Sequence, residues 1–139
     1  MIMMIKDIMS KDVEICAPET ILSEVVGKMQ SRDCGCVVVA KDDRLVGMIT
    51  DRDIALRCVA KSHDPKETTA EQVMSSEILY CMETDDADDV ARNMGENKVR
   101  RLPVLNAEKR LVGIVSLGDL ASHSNHLLCG EILGVICKA

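Results

Sequence analysis

Apolar and polar positions follow two different periods along the chain, and the same order of periods occurs twice. Short apolar runs at 13–16 and 78–81 predict strands, and apolar residues spaced three and four apart then predict an amphipathic helix. Two more apolar runs flank a polar turn, and a closing helix follows from Thr50 or Ser116. The pattern predicts an α/β fold of the α+β type with the order β-α-β-β-α in each half.

The element limits can be drawn from the same pattern. Thr20 and Asp85 are the expected N-caps of the two first helices, because their side chains can accept backbone hydrogen bonds. The paired strands are expected at 36–40 with 45–49 and at 102–105 with 111–115. The apolar helix faces are Ile21, Val25, Val26 and Met29 in the first half and Ala87, Val90, Ala91 and Met94 in the second.

The two halves are an internal repeat. Met9-Ser10 returns as Met74-Ser75, and the four residues 44–47 return unchanged at 110–113. Asp53 is followed by Ile54-Ala55, as Asp119 is by Leu120-Ala121. Such a period indicates tandem structural units. We therefore expect unit 1 at 1–62, unit 2 at 63–122 with a linker around 61–69, and an apolar tail at 123–139.

Composition excludes several classes of protein. Tyr80 is the one aromatic residue, and the net charge is -6, so neither base stacking nor a duplex nucleic acid partner is expected. No apolar run reaches 18 residues, which argues against a membrane span. Seven cysteines, an odd number, suit reduced thiols and a cytoplasmic location. No glycine-rich phosphate loop, nucleophile elbow or metalloprotease motif is present, so we expect no enzyme.

The clearest candidate site is a hydroxyl followed three residues later by a carboxylate, in Thr50 to Asp53 and in Ser116 to Asp119. At a helix N-terminus such a pair can bind a nucleotide, with the carboxylate accepting from ribose hydroxyls and the helix end facing phosphate. The alternative is a capping box that needs no ligand. The motif alone leaves both interpretations open.

Three basic residues precede the second pair of strands: Lys98, Arg100 and Arg101. Arginine forks match phosphate geometry, but charges at a sheet edge also discourage aggregation. Arg52 is a second phosphate candidate, with an exposed residue paired to Asp51 or Asp53 as the alternative.

His123, His126 and Cys129 have spacings at which soft metal ligands occur, and Cys34 with Cys36 could complete a site or act in redox chemistry. The spacing matches no recognised zinc module. We therefore predict no metal and keep a metal- or redox-responsive protein as an alternative.

The phrases "RLVGMITDRDIA", "RLPVLNAEKRLVGIVSLGDLA", "DIMS" and "QVMSS" together resemble the CBS domain, named for cystathionine β-synthase. Residues 5–122 look like a CBS pair, or Bateman module. The resemblance implies two units packed about a pseudo-two-fold axis, with clefts that bind AMP, ADP, ATP, NAD(H) or S-adenosylmethionine. It implies regulation by an adenine nucleotide, without catalysis or a required cofactor.

The resemblance also assigns roles to residues. Asp53 and Asp119 would hold ribose hydroxyls, and Thr50 and Ser116 would contact ribose or phosphate. The first unit departs from the family, with Val37 where a proline is common and Cys34-Gly35-Cys36 where the second unit is basic. Pro103 matches the family turn into a strand, and the expected adenine pocket contains Val13, Ile15, Ile49, Ile78, Tyr80, Pro103 and Val115.

The composition of the tail predicts that it packs against another surface. The segment from Leu127 to Ile136 is too apolar to remain in water. We therefore expect a homodimer, and docking of the tail on its own chain is the alternative. A regulated partner protein is also expected. A ligand-free dimerisation scaffold is a further alternative function.

Overall fold

The computed structural model describes residues 3–123 and 126–137, except for the side chain of His126. The chain packs into two compact bodies. The first body contains residues 13–78, and the second contains residues 1–12 together with 79–139. Because the division is discontinuous in sequence, the chain passes from one body to the other twice.

The first body is a three-stranded sheet with helices. The strand order is β1-β2-β3, with β1 parallel to β2 and β2 antiparallel to β3. A single π-helical turn, Ala55–Val59, continues the second helix. The elements are β1 (Ile15–Cys16), α1 (Leu22–Arg32), β2 (Cys36–Lys41), β3 (Arg44–Thr50), α2 (Asp51–Ile54) and α3 (Ala70–Val73).

The second body repeats this arrangement and adds a C-terminal helix. Its sheet has the order β4-β5-β6, again with one parallel and one antiparallel pair. A 3-10 turn, Ile5–Asp7, comes from the N-terminal segment. The elements are β4 (Cys81–Met82), α4 (Ala87–Asn97), β5 (Arg101–Leu105), β6 (Leu111–Ser116), α5 (Leu117–His123) and α6 (His126–Cys137). The predicted order β-α-β-β-α is confirmed in both halves.

The two predicted N-caps lie one residue too early. Thr20 and Asp85 accept hydrogen bonds from the backbone N–H of Ala17 and Met82, at 3.1 and 2.9 Å, and so close a turn before each helix. The capping positions are Ile21, which offers no side-chain bond, and Asp86, which accepts from the N–H of Asp88. Thr20 and Asp85 therefore accept backbone hydrogen bonds, as predicted, but these bonds stabilise the turn before each helix and not the helix itself.

Each body contains a short segment that lies outside its own sequence repeat. In the second body Ser10 and Ile114 exchange two backbone hydrogen bonds of 2.9 Å. In the first body Met48 and Ser75 exchange two of 3.1 and 3.0 Å. The Met-Ser segment of each repeat therefore lies on the last strand of the other repeat. Packing thus divides the chain at 12–13 and 78–79, whereas the sequence repeat divides it at 62–63.

The two segments that pack in the body of the other repeat, 5–10 and 70–75, are called the exchanged segments here. They also carry buried side chains. Ile5 and Ile8 belong to the core of the second body, and Ala70 and Val73 belong to the core of the first. All four are less than one-tenth exposed. In the first body the rest of the core comes from α1, the three strands and the helix that follows β3. In the second body it comes from α4, the three strands, α5 and α6.

Glycine is required where the exchanged segment crosses the last strand. A Cβ on Gly47 would overlap the Met74 side chain. A Cβ on Gly113 would lie 2.6 Å from Met9 Sδ and 2.8 Å from the backbone oxygen of Ser10. The glycine shared by the two repeats is therefore explained by close packing.

The tail forms α6, which lies on its own body. Cys129 and Ile132 are buried in the core formed with α4 and α5. Leu127 remains 74% exposed, with Leu133 and Val135 about half exposed. Docking of the tail on its own chain, the predicted alternative to a dimer, therefore accounts for one face of α6. The other face is exposed. None of the helices in the described part of the chain is long and apolar enough to cross a membrane.

We predict that Gly113→Ala lowers the free energy of unfolding by about 1–3 kcal/mol, because the added methyl group displaces the backbone at Ser10. Urea unfolding followed by circular dichroism measures the change. Gly27→Ala in α1 is the control, since its Cβ meets no atom within 4 Å, and it should stabilise the protein by up to about 1 kcal/mol. An unchanged midpoint for Gly113→Ala would contradict the close-packing explanation.

Candidate functional site

The two hydroxyl and carboxylate motifs have nearly the same geometry. Asp53 Oδ2 accepts from the N–H of Thr50 at 2.9 Å, and Thr50 Oγ1 accepts from the N–H of Asp53 at 3.2 Å. In the second body Asp119 Oδ2 and Ser116 Oγ make the same two bonds, at 2.9 and 3.0 Å. Both motifs are therefore capping boxes, and in each the second carboxylate oxygen, Oδ1, takes no part in the capping bonds.

That second oxygen distinguishes the two bodies. Asp53 Oδ1 lies 3.8 Å from Nη2 of Arg57, one helical turn later. Arg57 is itself held by a 2.8 Å bond from Nη1 to the Val73 carbonyl. For Asp119 Oδ1, the described part of the chain provides no comparable donor or cation. The Asp119 carboxylate is thus the one better able to accept from a ligand.

Arg57 was missed by the sequence analysis. The signal was present, because Asp and Arg four residues apart on a helix are spaced for an ion pair. The pair is weak in free energy, since the Arg57 side chain is 44% exposed. Its importance is positional, because it occupies the carboxylate oxygen that a ligand would use.

The backbone entering the paired strands is also equivalent in the two bodies, but its side chains differ. The N–H of Leu117 donates to the carbonyl of Arg100 at 2.8 Å, as the N–H of Asp51 donates to that of Gly35 at 3.1 Å. Arg101 pairs with Ser116 across the sheet, as Cys36 pairs with Thr50. Two arginines in the second body therefore stand where the first has Gly35 and Cys36.

These differences give the two motifs different electrostatic surroundings. In the first body Asp51 adds a carboxylate, and the space next to Gly35 is filled by that side chain, with Oδ2 2.9 Å from an ideal Cβ position. In the second body the equivalent residue is the apolar Leu117. The second motif is thus favourable for an anion, whereas the first carries an additional negative charge.

A pocket of about 490 Å³ lies beside the second motif. Arg100, Arg101 and Ser116 form its polar part, and residues of α5 and α6 form an apolar part. The volume is in the range of small-molecule sites, roughly 300–1,000 Å³. Its lining residues are Arg100, Arg101, Ser116, Leu117, Gly118, Ala121, Cys129, Gly130 and Leu133.

The pocket thus brings together three predicted residues of the second half, namely Ser116, Arg100 and Arg101. Asp119 is not among the lining residues but is bonded to Ser116. Lys98 is exposed and ends α4 in a left-handed conformation with φ 54°, and it does not line the pocket. Arg52 is exposed in the first turn of α2, where its N–H donates to the Asp51 carboxylate. The contribution of α6 to the pocket was not predicted, because the sequence pattern pointed only to association of the tail and to metal ligands within it.

The residues expected around adenine do not line this pocket. Ile49 and Val115 are 0% exposed and belong to the two cores, so their side chains present no surface to a ligand. Pro103 is buried in β5. The others retain exposed surface: Ile15 and Tyr80 at 39 and 42%, with Val13 and Ile78 partly buried.

Two cysteines at equivalent positions serve packing. Burial raises the pKa of the Cys16 thiol to about 11, with a small opposing effect of Lys28. Burial, reinforced by Asp85, raises the pKa of Cys81 to about 12. Both thiols are therefore protonated at neutral pH and poorly nucleophilic.

The metal alternative has limited geometric support. Among residues 3–123 and 126–137, no group of three or more His, Cys, Asp or Glu side chains is arranged to hold a metal ion. Cys129 is 3% exposed, and His123 Nδ1 lies 3.1 Å from the Asp119 carbonyl. The side chain of His126 lies outside the described residues. Of the redox candidates, Cys34 directs its Sγ toward the Cys36 carbonyl at 3.6 Å.

Comparison with known proteins agrees with the repeated fold. The family model named CBS domain matches residues 5–59 and 70–126. The chain therefore belongs to the CBS-domain family, and its two matched segments make it a CBS-pair regulatory module. The resemblance found in the sequence is confirmed.

Individual relatives extend over most of the chain. The CBS domain-containing protein YhcV of Bacillus subtilis is 37% identical over 117 residues, covering 84% of this chain and 82% of YhcV. The crystal structure of Hypoxic Response Protein I, a protein of Mycobacterium tuberculosis, with two coordinated zinc ions has a TM-score of 0.81. That likeness has 35% identity and covers 88% of this chain and 100% of the other.

A third structure is a complex. The CBS domain pair of protein MJ0100, with 5-methylthioadenosine and S-adenosyl-L-methionine, has a TM-score of 0.76 and 26% identity. The match covers 94% of this chain and 99% of that pair.

Proposed function

We propose that this CBS pair senses an adenosine-containing ligand and binds it in the second body, at the pocket beside Ser116 and Asp119. The observation that carries the proposal is that Ser116, which is bonded to Asp119, lines one pocket together with Arg100 and Arg101. The adenosine ligands of MJ0100, a protein of the same family, support the ligand class. The ligand acts as a regulator, and neither catalysis nor a permanent cofactor is part of the proposal.

Each part of the ligand has a matching group. Asp119 Oδ1 accepts from ribose hydroxyls while Oδ2 keeps the capping bond to Ser116. Arg100 and Arg101 bind phosphate, or the carboxylate of S-adenosylmethionine, through charge-assisted hydrogen bonds. The apolar lining from α5 and α6 faces the base.

We further propose that the second body is the preferred site. In the first body, Arg57 already contacts the equivalent carboxylate, and Asp51 repels an anionic ligand. The cations are also replaced there by Gly35 and Cys36. A single bound ligand for each chain is therefore expected at moderate concentration.

The biological setting proposed is a cytoplasmic homodimer that alters a partner protein when the ligand binds. A second candidate is a metal-responsive function, favoured by the zinc ions of Hypoxic Response Protein I. Elemental analysis of purified protein separates the two, because a resident metal would be stoichiometric. A ligand-free scaffold would show no thermal shift with AMP, ADP, ATP, NADH or S-adenosylmethionine.

We predict that Asp119→Asn weakens AMP binding by about 1.5–3 kcal/mol, because a charged acceptor for the ribose is lost. Asparagine can keep the capping bond to Ser116, so the fold should be unaffected. The matched control is Asp53→Asn in the first body, which should leave the affinity unchanged. Isothermal titration calorimetry on the three proteins tests this. Equal affinities for all three would contradict the ribose assignment.

Phosphate recognition gives a separate prediction. Wild-type protein should bind AMP more tightly than adenosine, by about tenfold at low salt, and added salt should reduce that preference. Arg101→Gln should largely remove the preference. Lys98→Gln deletes a cation that does not line the pocket, so it should not. If AMP and adenosine bind equally to wild-type protein at low salt, the arginines have no role in binding.

The homodimer prediction can be tested through the outward face of α6. Removing the whole tail would open the core at Cys129 and Ile132, so point variants are better. Leu127→Glu combined with Val135→Glu should give monomers by light scattering, since a charge disfavours burial of this face. Val59→Glu, at a 67% exposed position, is the control and should remain dimeric. A monomeric wild-type protein would rule out the dimer.

A further inference from the structure

Helix α6 is fixed to its own body by close packing. Ile132 is 6% exposed, and an ideal Cβ on Gly95 of α4 would lie 3.1 and 3.2 Å from its side-chain carbons. A Cβ at position 95 would force Ile132 to shift by a few tenths of an ångström, so the glycine favours this close approach of α4 and α6. Arg100 adds a polar contact, since its Nη2 donates to Cys137 Sγ at 3.1 Å. The helix is therefore held at both its middle and its end.

The side of α6 next to this contact forms a wall of the pocket. Cys129, Gly130 and Leu133 face the space bounded on the other side by Arg101, Ser116 and the first turn of α5. These three residues lie beyond the β-α-β-β-α unit. Helix α6 is thus a structural addition that contributes directly to the space next to the candidate site.

Gly130 has a distinctive place in this wall. It lines the pocket, and apart from its chain neighbours and the backbone of α6 itself, no atom of the described residues lies within 4 Å of its ideal Cβ position. A larger residue would project into that space without displacing described protein atoms. Glycine is unfavourable inside a helix relative to other residues, and packing between helices does not require it here.

We infer that α6 is a ligand-binding element whose open position at Gly130 receives the apolar part of the bound molecule, an adenine-type base. The inference rests on the proposed function and adds a location for the base. The cationic part of the pocket is at Arg100 and Arg101, and the apolar part is at Leu117, Ala121 and Leu133. A ligand with an anionic group and a flat apolar group matches both parts at once.

The inference has a consequence for regulation. A base that packs against α6 stabilises the docked position of the helix, because ligand binding favours the state that makes the contact. Leu127 and Val135 belong to the same helix, so a bound ligand should also stabilise the exposed surface that they form.

Gly130→Leu and Gly134→Leu form a matched pair for the test. Both glycines are exposed in α6. Apart from the backbone of that helix, no atom in the described part of the chain lies within 4 Å of either ideal Cβ. Only Gly130 lines the pocket. Thermal unfolding without ligand should give both variants a melting temperature at or above that of the wild type, because leucine is the better helix former.

The measurement is calorimetric titration of the full chain with AMP. Gly130→Leu should weaken binding by about tenfold or more, since the side chain occupies the place of the base, and Gly134→Leu should bind as the wild type does. Gly130→Ala should give a smaller loss, which keeps the test valid if the leucine variant folds poorly. Hydrogen exchange of wild-type protein should show AMP protecting the amides of 129–133.

The outcomes separate the two proposals. If wild-type protein binds AMP and all three glycine variants bind equally, the base does not contact α6, and this inference is overturned while the proposed function stands. Unchanged hydrogen exchange in α6 on binding would overturn it as well. If wild-type protein binds none of AMP, ADP, ATP and S-adenosylmethionine, the proposed function fails, and the inference fails with it.

Discussion

The contact between a Met-Ser segment and a glycine in the last strand is the constraint on which both bodies depend. At Gly113 the space for Met9 and the Ser10 backbone exists only because the strand has no side chain there. The same contact at Gly47 accommodates Met74. Each contact covers the outer edge of a three-stranded sheet, which would otherwise present unpaired backbone groups to other chains. Each also brings buried apolar side chains to the core beneath.

The repeated fold holds two motifs that are alike in backbone and different in charge. The capping boxes agree in every hydrogen bond, so they define the helix starts and cannot by themselves distinguish the bodies. The difference comes from residues around them, chiefly Arg57 and Asp51 on one side and Arg100 with Arg101 on the other. Duplication supplied the scaffold, and a few charged side chains made the two copies unequal.

Much of the fold could be predicted from the sequence because it depends on local periodicity. The order of strands and helices and the capping boxes at Thr50 and Ser116 follow from residues a few positions apart. The exact helix starts did not follow, because Thr20 and Asp85 can bond either to a turn or to a helix, and both bond to the turn. Local preference does not choose between these partners.

Long-range features were beyond the sequence pattern. The exchange of the Met-Ser segments requires knowledge of which strand each segment meets. The burial of Ile49 and Val115 depends on which strand face meets the core, and apolar character alone suits a ligand pocket equally well. Helix α6 was recognised as an apolar segment in need of a surface, but its part in the pocket depends on where it docks.

The exchange of segments also determines which part of the gene encodes a complete folded module. A gene cut between the two repeats would encode a first chain without Ser75 for its Met48 strand and a second chain without Ser10 for its Ile114 strand. In neither product would the last strand of the sheet have the segment that pairs with it. We therefore expect this module to be inherited as the whole pair, and a substitution in a Met-Ser segment acts first on the sheet of the other repeat.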